Sequence, residues 1–190
     1  MEKVKTYVMQ LAFDGITYSH GKVVELLDKF GVICENFPFK LYPEPKELPK
    51  RDWLGQHGVD VYVPSTIPMK EYRLDVEFLY VGKDDYKAGV NDTRKIREDI
   101  NNFIKFLYGR IGSGVSGDTV QSGRLAVYNE HTKIGRKDIT VNKVDPKLFL
   151  CDNSDDEAIA RFVVTFDIND PVTDVTPSET QGVVTDLTFT

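Results

Sequence analysis

The sequence predicts an α+β fold, mainly antiparallel β: a β-sandwich or partly closed barrel with one main flanking helix and room for a second, short one. Two observations carry this. In KEYRLDVEFLYVG (70–82), Tyr72, Leu74, Val76, Phe78 and Tyr80 fall on one face, while Glu71, Arg73, Asp75 and Glu77 fall on the other. A period of two with one apolar face is that of a half-buried strand. After a polar loop, NDTRKIREDINNFIKFLYG places Ile96, Ile100, Phe103, Ile104 and Leu107 on one stripe at helical spacing, which predicts a helix near 92–108 packed on strand 70–81.

The remaining elements follow in chain order. Residues 4–13 read as a strand with Tyr7, Met9, Leu11 and Phe13 on one side. HGKVVELLDKFG has apolar residues at Val23, Val24, Leu26, Leu27 and Phe30 and a stop at Gly31, which reads as a short helix, although Val23-Val24 and the flanking glycines also suit a strand. Val32 to Phe39 reads as extended. LYPEPKELPKRDWLGQHG then holds Pro43, Pro45 and Pro49 and the only tryptophan. Prolines so spaced exclude a helix interior or a central strand, so 41–58 is a long excursion over the surface. GVDVYVPS gives a short strand stopped at Pro64.

Beyond the helix, IGSGVSGDTVQSG (111–123) is a flexible loop, and strands follow at Arg124–Asn129, Asp138–Val144, Lys147–Cys151 and Ala158–Ile168. In the last of these Phe162, Val164, Phe166 and Ile168 face one way. Residues 1–170 thus form a single domain. The segment 171–190, with two prolines, no Lys or Arg and weak alternation through Val183, Val184, Leu187 and Phe189, reads as an extended or disordered C-terminal arm.

A chain of 190 residues supports one ordinary core, and 41% hydrophobic with 28% charged residues is a globular composition. The net charge of −6 argues against nucleic-acid binding, which needs clustered Lys and Arg; the densest group, Lys133, Arg136, Lys137 and Lys143, is diluted by Asp138. Cys34 and Cys151 lack zinc-ligand or disulfide-scaffold spacing and read as buried thiols. The charged, alternating start does not resemble a signal peptide, and no run reaches transmembrane length, so a protein made and kept in the cytoplasm until it joins something larger is expected.

The chemical motifs fail one by one. Gly112-Ser-Gly114-Val-Ser-Gly117 fits G-x-G-x-x-G but follows a helix and leads into a strand, the reverse of a dinucleotide turn. Asp152-Asn-Ser-Asp155-Asp156-Glu157 lacks the central glycine and final glutamate of an EF-hand loop and reads as an acidic turn. His20, His57 and His131 have no metal-ligand spacing; His57 lies near Asp52 and Asp60, but with 30 carboxylates in the chain such proximity carries little weight. No catalysis, cofactor or metal is expected. Trp53 either pins the proline-rich loop to the core or anchors a partner.

The order RDWLGQHGVDVYVP, EYRLDVEFLYVG, INNFIKFLYG, a Gly-rich loop, GRLAVYNE and ARFVVTFDINDP resembles bacteriophage tail structural proteins, in particular the distal-tail and tail-tube-like group of long-tailed phages. The likeness spans roughly residues 35–170 and is one of pattern; there is no room for the carbohydrate-binding domain of larger distal-tail proteins. It implies a ring-forming homo-oligomer around the tail channel, partnered by itself and other tail proteins, found in the host cytoplasm during assembly and then in the virion tail. In that setting Trp53 and His57 on the loop, and Val183, Leu187 and Phe189 on an arm that adds as a strand to a neighbour's edge, are the expected partner contacts. The competing expectation is a monomeric module that holds a peptide or glycan with the Trp53 loop.

Overall fold

The computed structural model describes residues 5–34, 36–82, 93–145, 149–151 and 159–190. Its centre is an antiparallel sheet. In chain order the strands are β1 (Thr6–Phe13), β2 (Tyr18–His20), β3 (Val24–Glu25), β4 (Val32–Ile33), β5 (Lys50–Arg51), β6 (Asp60–Val61), β7 (Tyr72–Tyr80), β8 (Arg124–Asn129), β9 (Ile134–Val144), β10 (Phe149–Cys151), β11 (Ile159–Ile168), β12 (Val175–Thr180) and β13 (Val183–Phe189). The helices are α1 (Leu26–Phe30) and α2 (Thr93–Leu107). The main sheet runs β2-β1-β8-β9-β11-β7-β4, with β3 also on β1 and β10 on β11; β5–β6 and β12–β13 are separate two-stranded ladders. The main ladder stays open instead of closing into a barrel. Residues 24–34 bridge its two edges, since Val24 and Glu25 pair with β1 while Val32 and Ile33 pair with β7.

The long central pair forms as its alternation predicts. Tyr72 to Tyr80 pairs with Ile168 to Ala160 over nine positions, and Leu74, Val76, Phe78 and Tyr80 are buried with Phe162, Val164, Phe166 and Ile168. α2 lies over this face with Ile96, Ile100, Phe103, Phe106 and Leu107 buried. Ile104, expected in the stripe, is only partly buried, and Phe106 takes the deeper place. The ring of Phe103 sits 5.1 Å from that of Phe78 and 5.9 Å from that of Phe162, distances at which tilted aromatic pairs attract beyond their area. Phe30, Phe37 and Phe39 close the same core.

The short helix is shorter than expected. Val24 and Glu25 pair as β3 with the edge of β1, the strand alternative that two adjacent valines allow, and only Leu26–Phe30 turn helical. Gly31 ends α1 in the left-handed region at φ 67°, where its N–H meets the Leu27 carbonyl at 2.8 Å. Of the extended stretch 32–39, only Val32–Ile33 joins the sheet. Cys34 is buried and its thiol donates to the Asn36 carbonyl. The side chain of Cys151 and the acidic segment 152–157 lie outside the described residues.

β1 departs most from a half-buried strand: Thr6 to Leu11 are all buried. Val8 faces the α2 side, whereas Tyr7, Met9 and Leu11 join Ala126 and Tyr128 in a second core on the opposite face. The C-terminal segment covers it. Instead of an extended or disordered arm, residues 175–189 form the β12–β13 hairpin, with Val175 and Leu187 buried in that second core and Val184 and Phe189 packed against it. A register shift in the ladder leaves Thr185 as an extra residue between the pairs Ser178–Asp186 and Glu179–Val184. The bulge changes the phase of the strand, so Val184 turns to the sheet and Thr185 to solvent. That phase change is why the tail shows only weak alternation in sequence.

Two contacts fix how the hairpin sits. A Cβ at Gly135 would stand 2.7 Å from the Val175 carbonyl oxygen and 2.8 Å from that of Val127, so β12 can approach β9 only across a glycine. Next to it the buried guanidinium of Arg136 pairs with Asp174 at the root of β12. At the same end, Lys137 lies over the rings of Tyr18 and Phe189 at 5.2 and 5.4 Å and pairs with Asp170 at 3.5 Å.

Candidate partner-binding arm

The chain leaves the body at Leu41 and returns at Lys70. Its root is closed by backbone hydrogen bonds, Lys46 N–H to Pro68 C=O at 2.8 Å and Lys70 N–H to Glu44 C=O at 2.7 Å, with Pro45 and Met69 bridged between them. Further out, Lys50 and Arg51 pair with Val61 and Asp60, and Tyr62 N–H reaches the Pro49 carbonyl at 3.1 Å. The prolines limit the ladder, because each removes a donor and fixes its own φ. A turn at Trp53–Gln56, closed at 3.2 Å, forms the tip. The expected surface loop at 41–58 is therefore the first half of a projecting hairpin.

No residue from 41 to 70 is buried. Polar side chains do not account for that exposure: Leu41, Tyr42, Val59, Tyr62, Val63 and Ile67 all stand in solvent, Tyr42 at 91% and Leu54 at the tip fully. Single exposed apolar residues are ordinary on protein surfaces, but a run of this kind on one element makes it the candidate site of the chain.

Trp53 is 43% exposed and, among the described residues, belongs to neither core cluster. The Arg51 guanidinium lies 3.7 Å from the centre of its indole ring. This stack holds a flat apolar surface and a cation together in a preset arrangement. Trp and Arg are the residues that most often carry binding energy at interfaces. His57 is exposed, and among the described residues no ion pair joins it to Asp52 or Asp60.

The expected contacts on the C-terminal segment separate into two kinds. Leu187 is fully buried, and Phe189 packs on the second core with its ring 4.8 Å from that of His20, so both serve the fold of their own chain. Val183, beside the hairpin turn, is exposed. The structure thus does not bring the five expected partner residues together: Trp53 and His57 ride on the arm, Val183 is at the hairpin tip, Leu187 is buried and Phe189 is partly buried on the second core.

Sequence reading passes over a cavity of about 380 Å³ between β1, β3–α1, the loop at Val115 and the β12–β13 turn. Tyr7, Val23, Val24, Val115, Val183 and Val184 line it together with two carboxylates, Glu25 and Asp28, and two ammonium groups, Lys5 and Lys29. Burial first, and then the adjacent Asp28, lift the Glu25 carboxyl to about 7, although Lys5 stands 3.8 Å away. No signal in the sequence marks this place, because its walls come from four separate segments.

Among the described residues no group of three or more His, Cys, Asp or Glu side chains is arranged to hold a metal ion, and no helix is long and apolar enough to cross a membrane. The Gly112–Gly117 loop leads out of α2 towards β8, where a dinucleotide turn would instead open a helix. Comparison with known proteins adds no identity: no family model, no curated protein and no solved structure matches this chain.

Proposed function

We propose that this chain is a non-catalytic structural subunit of a phage or prophage tail, assembling with itself into a ring or tube around the tail channel and binding other tail proteins. The tail assignment rests on the order of sequence elements. The single structural observation that supports an assembling role is the 41–69 arm, which projects a run of aromatic and aliphatic side chains that its own chain leaves uncovered. A projecting hairpin on an antiparallel body suits repeated contact between copies, where one surface patch meets a different patch on the next subunit.

Light scattering on size-separated protein across a wide concentration range, followed by negative-stain microscopy, tests the proposal. Rings or stacks are expected from the full chain, and loss of them when residues 49–62 are replaced by a two-glycine link. A strictly monomeric protein that also ignores candidate tail partners would sink the assembly reading.

A second reading has its own observation: the Arg51–Trp53 stack is also a surface suited to a peptide or a sugar ring. On that reading the chain is a monomeric binding module, and peptide or glycan arrays would show binding that Trp53→Ala abolishes while the protein stays monomeric.

A further inference from the structure

We infer that Arg136 couples the neck of the 41–69 arm to the seat of the β12–β13 hairpin, so that a partner which reorients the arm also loosens or tightens the hairpin. Three chain segments meet at its guanidinium. One is Lys40, where the chain leaves for the arm; its carbonyl lies 3.5 Å from Arg136 Nη2. Another is Tyr72, the first residue of β7 once the arm has returned, whose hydroxyl accepts the Lys40 N–H at 3.1 Å. Burial lifts that phenol above its usual range, and the Lys40 amide and the facing Arg136 guanidinium pull the other way. The third is Asp174, whose carboxylate accepts from Arg136 Nη1. A backbone bridge joins residues 136 and 174 as well, and Asp174 exchanges hydrogen bonds with Thr190 at 3.0 Å each way, closing the open end of the hairpin.

Burial turns this meeting point into a coupling. The Arg136 side chain is 5% exposed, and among the described residues its charge meets one carboxylate, which is itself 65% exposed. The Gly135 carbonyl takes a further hydrogen bond at 3.0 Å, and Nε has no partner among the described residues. A buried guanidinium with one anion and an unfilled donor is incompletely compensated. A carbonyl at 3.5 Å and a phenol do not hold such a charge on their own. Without the Asp174 carboxylate the guanidinium turns out to water, and Lys40 and Tyr72 lose it too. The converse follows from the same geometry. The Lys40–Tyr72 clasp joins the two legs of the arm where the guanidinium touches them, so parting those legs lets water reach the ion pair and weakens it. Coupling of this kind acts equally in both directions. It belongs to the lone chain and goes beyond the assembly reading, since it holds or fails whatever partner the arm meets.

The test is residue-resolved amide hydrogen exchange on the full chain, with two conservative variants that start from opposite ends. Asp174→Asn removes the charge and keeps the shape. The Lys46 and Lys70 amides, which close the arm root, are expected to exchange at least about tenfold faster, while α2 and the centres of β7 and β11 stay as in the wild type. Asp174→Glu should restore their protection. Tyr72→Phe removes only the hydroxyl at the neck, and the Asp174 and Thr190 amides at the base of the hairpin are expected to quicken by a similar factor. Exchange that quickens only in the hairpin of the first variant, only at the neck of the second, evenly through all elements, or nowhere overturns the coupling. If Asp174→Asn does not fold, Tyr72→Phe decides alone. The light-scattering experiment tests the arm as an assembly surface separately, so the two readings fail independently.

Discussion

The 41–69 arm, which carries β5–β6, and the β12–β13 hairpin both lie outside the main ladder, both contain proline, and both carry apolar side chains. They differ in what those side chains face. In β12–β13, Val175, Leu187 and Phe189 meet Tyr7, Met9 and Tyr128 on the sheet, and outward positions carry threonines such as Thr176 and Thr188, whose hydroxyls pair at 3.0 Å. In the arm, Tyr42, Trp53, Leu54 and Tyr62 face solvent. An isolated two-stranded hairpin is marginal in water. One hairpin gains its stability from a second core, and the other is left with a closed root, a few ladder bonds and an indole–guanidinium stack. Apolar content alone therefore does not tell an internal element from an external one. The complementary surface decides, and for β12–β13 that surface is the Gly135 gap and the Arg136–Asp174 pair.

The largest test of this contrast is removal. Deleting 171–190 uncovers Tyr7, Met9, Leu11, Ala126 and Tyr128. Because burying each large side chain is worth about 1.5–3 kcal/mol, the loss should approach the ~5–15 kcal/mol of a typical domain. The truncated chain is expected to lose its cooperative melt, whereas excising 49–62 should cost less than about 1 kcal/mol. A truncated chain that melts like the full one would show that the second core contributes nothing.

A single residue type sharpens the same comparison. Leu187→Ala should cost about 2–5 kcal/mol in a denaturant titration, as a buried leucine does. Leu54→Ala should stay within about 0.5 kcal/mol, as at exposed positions. Equal losses at both would mean that the arm packs against its own body in solution.

The smallest effect is electrostatic and lies in the cavity beside the β12–β13 turn. Glu25 titrates at about 7 in the folded chain against an ordinary 4.5, so the folded state holds this proton more tightly than the unfolded one. Its contribution is greatest below the unfolded value and is lost as pH rises towards 7. Melting temperature should fall between about pH 5 and about pH 8, and Glu25→Gln should flatten part of that slope. An unchanged slope in the variant would assign the pH dependence to other groups.

Much of the body was legible because its strands follow period two. The face of Leu74, Val76, Phe78 and Tyr80, the matching face of β11, and most of the α2 stripe can be read from spacing alone. The bounds of β8 match the expected Arg124–Asn129, although the strand is buried along almost its whole length and shows no alternation. The C-terminal hairpin resisted reading because a bulge at Thr185 breaks its phase and because half its core is supplied from β1, more than 160 residues earlier. The alternation of Tyr7, Met9 and Leu11 was visible in β1, but nothing local says that the tail covers it. At the candidate site, the excursion of the proline-rich segment was legible. The outward pose of Trp53, its partner Arg51 and the cavity were not, since each depends on which segments meet in space.

β1 has a consequence for how the chain is made. Thr6–Leu11 is buried on both faces, and its partners are Leu125–Asn129 beside it and Val175–Leu187 above it. A ribosome adding about 5–20 residues per second delivers the second of these partners on the order of ten to thirty seconds after the strand itself has emerged. Through that interval TYVMQLAF is an apolar segment of high strand propensity that lacks one or both neighbours, which is the kind of sequence that holdase chaperones shield and that aggregates when they are scarce. Yield of soluble protein in the cell should therefore respond to chaperone supply and to temperature during synthesis more steeply than the stability of the finished fold does.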